Sequence, residues 1–283
     1  MSNSNEKNLI RDFWDRASCG EELYLRSLDV EGYRAQSQQR YALEPFIEIF
    51  ARFEEARGLK VLEIGVGLGA DHQRFAEAGA DLTGIDLTRR AVAHVARRFV
   101  AFGLPWKLVT GDAENLPFKD GTFDIVYAWG VIHHSPDTAQ AAREILRVLK
   151  PGGHFRVMIY HTYSIVGAML WLRYALLRLR PLTSLAEIYA KYLESPGTKA
   201  FTTEKATALF ADAEHVRVSK VLTHGDLLTS DAGQRHRGPL LTLARRIWPR
   251  AVIRQLMPGF GLFLLVEGRR RNPDRADEAA RSS

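Results

Sequence analysis

One cysteine, Cys19, is present in 283 residues. That excludes an internal disulfide and a cysteine-rich zinc site, and it fits a reducing, cytoplasmic setting. The first twenty residues lack the apolar stretch of a secretory signal. No run is long and uncharged enough to span a bilayer; the most apolar one, 164–180, is too short and is studded with arginine. There is no internal repeat and no recognisable RNA-binding module, so nucleic acid is not the expected partner. His133 and His134 are adjacent, yet no further His/Asp/Glu set at ligand spacing accompanies them. Neighbours on an extended segment point to opposite sides, so no metal is expected. What remains is an ordinary globular composition, 46% hydrophobic and 25% charged, enough for one α/β domain with insertions.

The formal charge is +6, and much of the arginine lies late: Arg173, Arg178, Arg180, Arg235, Arg237, Arg245, Arg246, Arg250, Arg254 and Arg269 to Arg271. Such an excess is either a solvated basic face or a match for an acidic partner such as RNA, an anionic membrane surface or an acidic acceptor.

The periodicity divides the chain. Residues 1–8 and 272–283 are polar and expected to fray. Phe46, Ile49, Phe50 and Phe53 share one helical face, with a break before Pro45, so 1–57 reads as a helical cap. From Leu59 to Tyr160 short apolar runs alternate with amphipathic helices: Lys60–Ile64, Leu82–Ile85, Trp106–Thr110, Phe123–Ala128 and His154–Tyr160 as strands. Thr138–Leu149 is a helix stopped by Lys150-Pro151-Gly152-Gly153. That alternation predicts an α/β domain over 58–267, a parallel sheet with helices on both faces. Ligands then belong beyond the carboxyl ends of the strands. Residues 163–202 read as a lid-like insertion, 230–258 as a basic insertion, 261–266 as a last buried strand and 268–283 as a tail.

The first strand runs into a turn with Gly65, Gly67 and Gly69. Glycines there let the backbone turn tightly and approach a ligand, and the following helix directs its amides toward it. A dinucleotide fingerprint asks for a third glycine at position 70. Ala70, a tolerated variant, disfavours that reading without excluding it. Glu63 weighs more: a carboxylate two residues before the turn suits a ligand with an ammonium group better than one with phosphates. Asp86, at the end of the second strand, can accept both ribose hydroxyls. Asp112, after the third, lies within reach of an adenine amino group.

In combination, 61–69, 84–87, 111–118, 123–134 and 146–153 resemble the successive motifs of class I S-adenosylmethionine-dependent methyltransferases, nearest the branch with the ubiquinone and menaquinone C-methyltransferases. The resemblance covers about Leu59 to Tyr160. It implies a Rossmann-like seven-stranded, mostly parallel sheet with an antiparallel last strand. It implies S-adenosyl-L-methionine as cofactor and S-adenosyl-L-homocysteine as product. Glu63, Gly65, Gly67 and Gly69 would hold the methionine part, Asp86 the ribose, Leu87 and Ala113 would flank the adenine, and Asp112 would bind its amino group.

Trp129 ends the fourth strand, where it would offer a π face to the sulfonium or simply fill core. Methyl transfer is largely positioning, with a base needed only for a protonated nucleophile. His134 and His161 are the candidates, with His133 beside them; His161, after the fifth strand, should open onto the acceptor. In 164–180, Ile165, Met169, Trp171, Leu172 and Leu176 would face core, a hydrophobic acceptor or a membrane surface. A small-molecule acceptor is expected. The alternatives are an RNA methyltransferase, a nicotinamide-dependent oxidoreductase and a non-catalytic cofactor-binding protein. The oligomeric state is not legible.

Overall fold

The computed structural model describes residues 3–230, 242 and 245–272. Seven strands form one sheet in the order β3-β2-β1-β4-β5-β7-β6. They are β1 (Lys60–Ile64), β2 (Asp81–Asp86), β3 (Leu108–Thr110), β4 (Phe123–Trp129), β5 (Leu149–Tyr160), β6 (Ala213–Val221) and β7 (Phe263–Arg270). The first five pair in parallel. β7 is antiparallel to both β5 and β6 and lies between them. The chain order of the strands thus reverses between β1 and β4, the place where such sheets leave a crevice.

Side chains alternate across this sheet. Val61, Ile125 and Tyr127 face one core with Phe75, Val95 and Phe99. Leu62, Val126, Ala128, Phe155 and Val157 face the other, with Ile145 and Val148. The helices are placed by the same logic. α5 (Ala70–Glu77) and α6 (Arg89–Phe102) cover the first face, and α7 (Thr138–Val148) covers the second with Ala141, Ile145 and Val148 one turn apart. Thr88 and Asp137 cap α6 and α7 by accepting from Ala91 and Gln140.

Before the sheet come α1 (Asn3–Arg16), α2 (Glu21–Tyr24), α3 (Val30–Leu43) and α4 (Phe46–Ala51). The break before Pro45 is there. Of residues 1–8, expected to fray, 1 and 2 lie outside the described residues, and from Asn3 on they belong to α1, because Ile10, Phe13 and Trp14 share a face that packs over the sheet's carboxyl edge. Between β5 and β6 lie α8 (Ile165–Tyr174), α9 (Leu185–Tyr192) and α10 (Thr203–Ala208); α11 (Arg250–Leu256) precedes β7. Within the apolar run 164–180 the helix α8 ends at Tyr174, and Leu179 takes a left-handed conformation (φ 57°). Part of the expected basic insertion, 231–241 with 243 and 244, lies outside the described residues, as does 273–283 of the expected tail; Gly268 to Arg270 belong to β7. Among the described residues no helix is long and apolar enough to cross a membrane.

Candidate functional site

One continuous cavity of about 790 Å³ opens at the carboxyl ends of β1, β2, β4 and β5. All nine residues expected to hold the cofactor line it: Glu63, Gly65, Gly67, Gly69, Asp86, Leu87, Asp112, Ala113 and Trp129.

The turn after β1 is fixed from below. The buried Arg98 of α6 donates to the Leu68 carbonyl at 3.0 Å, to Gln73 at 2.6 Å and to Gln36 of α3 at 2.8 Å. Two glycines show why the sequence needs them. A Cβ at Gly65 would lie 2.1 Å from Val131 Cγ2, so the β4 loop could not close on the turn. Gly67 (φ +51°) is the reverse case: its Cβ would meet nothing within 4 Å. Its open side is the cavity.

Glu63 is 3% exposed, and among the described residues its carboxyl bonds His72 Nδ1 at 2.8 Å. Burial holds that imidazole near a pKa of about 3, so the partner is neutral. Burial and the neighbouring Asp71 charge push the Glu63 carboxyl well above its ordinary range. A ligand ammonium at this edge would supply the missing counter-charge. Asp71 has the opposite situation. Burial alone would raise it, yet Arg40 (2.6 and 3.0 Å), Tyr41 (3.0 Å) and Tyr127 (2.9 Å) hold it below the ordinary value.

Asp86 accepts from the Thr88 amide (2.9 Å) and hydroxyl (2.8 Å) and from the Gly67 amide (3.3 Å), which couples the ends of β1 and β2. Asp112 accepts from Lys7 at 2.6 Å, and Lys7 also meets Glu114 at 2.5 Å. So α1 lies across the adenine end of the expected site. Lys7, Arg40 and Asp71 were missed in the sequence because each acts through a partner tens of residues away. The polar start of α1 carried no sign of being ordered.

Trp129 is half-buried among Phe46, Tyr127 and Phe263. The cation set against its ring, at 5.9 Å, is Arg40.

Beyond Trp129 the cavity widens into an apolar chamber walled by α8, through Val166, Met169 and Leu170, and by Leu193, Leu228 and Trp248. Its inner end is polar. Glu44, 8% exposed, sits 3.7 Å from Arg40 and 4.0 Å from His224. Burial, only partly offset by Arg40, raises its pKa to about 7. Glu194 accepts from Tyr160 at 2.5 Å and lies 3.4 Å from His134 Nε2. His134 lines the chamber; its Nδ1 bonds Ser195 at 2.8 Å. His161 does not line it. Its Nδ1–H donates to the Gly261 carbonyl at 3.0 Å and it is 2% exposed, so the expectation that it opens onto the acceptor is corrected: the turn to α8 carries the ring toward β7.

The expected separation of His133 and His134 also fails. Residues 130–135 form a turn rather than an extended segment, and the two rings lie 4.2 Å apart on the same side. Among the described residues, His133, His134 and Glu194 bring their ligand atoms within 4.8 Å of one another.

Trp171 does not face the chamber. It donates to the Thr183 carbonyl at 3.0 Å and packs beside α9.

Residues 62–157 match a family described as a methyltransferase domain, and the sheet around them has the strand order given above. Over that part of the chain, about a third of its length, the match is to a methyltransferase domain. It is 34% identical to the demethylmenaquinone methyltransferase of Tropheryma whipplei over 48% of this chain and 57% of that one. It is 34% identical to a sterol 4-C-methyltransferase of Caenorhabditis elegans over 38% of this chain and 33% of that one. Among solved structures, the Haemonchus contortus phosphoethanolamine N-methyltransferase 2 in complex with S-adenosyl-L-methionine superposes with a TM-score of 0.59 at 17% identity. That likeness covers 93% of this chain and 60% of that one and is one of fold. The chain spans from about a quarter to somewhat over half of the length of the curated relatives it matches, 26% to 57%.

The donor set of this domain fits S-adenosylmethionine: a carboxyl at Glu63 with no paired cation for the ammonium, a glycine with open space at Gly67, and Asp86 lining the same cavity at the end of the neighbouring strand. Asp86→Ala should weaken S-adenosylhomocysteine binding by about 1–3 kcal/mol, the cost of leaving buried hydroxyls and amides unpaired. Calorimetry on a folded variant checks it, and wild-type affinity would move the ribose elsewhere.

Proposed function

We propose that the protein transfers a methyl group from S-adenosylmethionine to a hydrophobic small molecule held in the chamber. The observation that carries this reading is the continuity of the cavity, from the glycine turn past Trp129 into an apolar space. Bound at the turn, the cofactor supplies an electrophilic methyl on a sulfonium. The chain's own residues then position and enclose. Glu63 and the β1 turn would hold the methionine part, Asp86 the ribose, and Asp112 with Leu87 and Ala113 the adenine. α1 closes over them and excludes water. The wall of α8 orients an apolar acceptor with its nucleophile toward Trp129.

Two groups at the inner end can take a proton, Glu44 and His134. Glu44 is the one whose pKa is raised to about 7, which suits a base working near neutrality. His161 is not proposed as a base. No ion is assigned to the histidine pair: Glu194 already accepts from Tyr160, and His134 lies between Ser195 and Glu194.

Calorimetry with S-adenosylhomocysteine and with NAD tests the cofactor half. Binding of NAD with no response to S-adenosylhomocysteine would overturn it. The acceptor half is tested by following a labelled methyl group into quinol and sterol fractions and into RNA. Label in RNA alone would reject the chamber as the acceptor site.

Met169 and Trp171 separate chamber wall from support. Met169→Ala should change relative turnover among acceptors of different size while melting temperature moves little, because Met169 borders open space. Trp171→Ala removes a part-buried hydrogen bond and ring contacts, so it should cost about 1–3 kcal/mol of stability without changing that selectivity. Thermal melts and competition assays on both variants decide it; a selectivity shift in Trp171→Ala alone would reverse the assignment.

A further inference from the structure

Seven consecutive residues, Leu176 to Leu182, are exposed, and four of them are leucines. Leu179 is 91% and Leu182 98% exposed, so neither apolar side chain gains burial from the fold. Residues 165–186 contain no carboxylate, whereas Arg173, Arg178 and Arg180 are interleaved with the leucines. Arg173 and Arg178 stand 5.3 and 5.0 Å from the Tyr174 ring. Among the described residues these three arginines make no ion pair. At the other end of α8, α11 packs through Ile253 in one cluster with Ile165 and Met169. It adds a second strip of the same character, exposed Val252 and Leu256 with Arg254 between them.

The position of this face matters as much as its composition. Leu172 and Leu177 are 47% and 64% exposed and also form the rim of the chamber. An apolar strip rimmed by unpaired arginine matches an interface where acyl chains lie beneath anionic headgroups, with the guanidiniums reaching the phosphates. A second copy of this chain fits worse, since the two faces would bring like charges together in a protein already at +6.

We propose that the face from Leu176 to Leu182 seats on an anionic lipid surface, and that the rim at Leu172 and Leu177 is where an acceptor dissolved in that surface enters the chamber. The route of the acceptor rests on the methyl-transfer reading above; the seating does not.

Flotation of the full-length protein with phosphatidylcholine vesicles, with and without phosphatidylglycerol, tests it. The protein should float with the anionic vesicles and be released by raised salt. Arg178→Glu with Arg180→Glu should weaken that binding at least tenfold, as each arginine near such a surface contributes about fivefold. Leu179→Asp with Leu182→Asp should also abolish flotation, with S-adenosylhomocysteine affinity unchanged in both variants. Failure of the wild type to float, equal flotation with both vesicle types, or flotation of the aspartate variant at the wild-type level would each overturn the proposal. So would light scattering that shows a wild-type dimer reduced to monomer by the same aspartates, which would make the face an interface between copies. Loss of S-adenosylhomocysteine binding in wild-type protein that still floats would instead sink the methyl-transfer reading and leave the seating intact.

Discussion

Gly67→Val is expected to leave a folded protein that no longer binds S-adenosylhomocysteine. At most glycines of the site such a substitution would be ambiguous. At Gly65 the new side chain strikes Val131, and at Gly69 its Cβ comes within 2.9 Å of Val95, so a loss of binding would be confounded with damage to the turn. At Gly67 a Cβ meets no protein atom within 4 Å, and the cost is confined to a positive φ of 51°. A left-handed conformation costs a non-glycine residue roughly 1–2 kcal/mol, a modest shift in melting temperature for a domain of this size. The isopropyl group would then occupy the space into which the backbone lets the ligand approach. We expect affinity to fall by about a hundredfold or more, equivalent to about 2.7 kcal/mol, with the far-ultraviolet spectrum unchanged. Measuring melting temperature and affinity on one preparation separates the outcomes. A stable variant with wild-type affinity would mean that the cofactor does not pass over Gly67, and the placement of Glu63 and Asp86 around it would fall too.

Glu44→Gln should lower turnover by about a hundredfold, the usual worth of a positioned base, and leave cofactor affinity nearly intact. The wild-type rate should rise with pH to a plateau above the Glu44 pKa of about 7, because only the carboxylate accepts a proton. In Glu44→Gln that limb should disappear. The same group sets a stability trend of known sign. Its folded pKa lies above the ordinary 4.5, so its contribution to stability is fully present below about pH 4.5 and is lost as pH rises to 7. Relative to wild type, Glu44→Gln should therefore gain stability across that window, on the order of 1–3 kcal/mol, with Arg40 reducing the gain. His134→Gln is the control. Were it to abolish turnover and flatten the profile while Glu44→Gln did neither, the base would be His134, as the sequence suggested.

The cofactor side of this protein was legible in the sequence because its determinants are local. A strand, a turn that only glycines can make and a carboxylate two residues earlier lie within nine positions. Asp86 and Asp112 follow their strands at distances fixed by the length of one helix. The strand–helix alternation implies a parallel sheet, which gathers the strand ends on one edge. Periodicity therefore pointed to the fold class and the edge where the ligand belongs, the glycine turn with Glu63, Asp86 and Asp112 pointed to the site, and the resemblance to methyltransferases implied Leu87 and Ala113 beside them.

Only the tertiary structure decided the rest, because it depends on contacts between distant segments. That Lys7 spans to Asp112, that Arg40 neutralises Asp71, and that Glu44 is buried far enough to titrate near 7 follow from how the N-terminal helices cross the sheet's edge. His133 and His134 share a side because their segment turns instead of extending. His161 lies beneath β7 because that strand inserts beside β5. The apolar stretch 164–180 was visible as unusual. Which side of it walls a chamber and which is left bare was settled by a helix that stops at Tyr174 and the seven exposed residues from Leu176 onward, and burial of that kind is a property of neighbours that the order of residues along one helix does not contain.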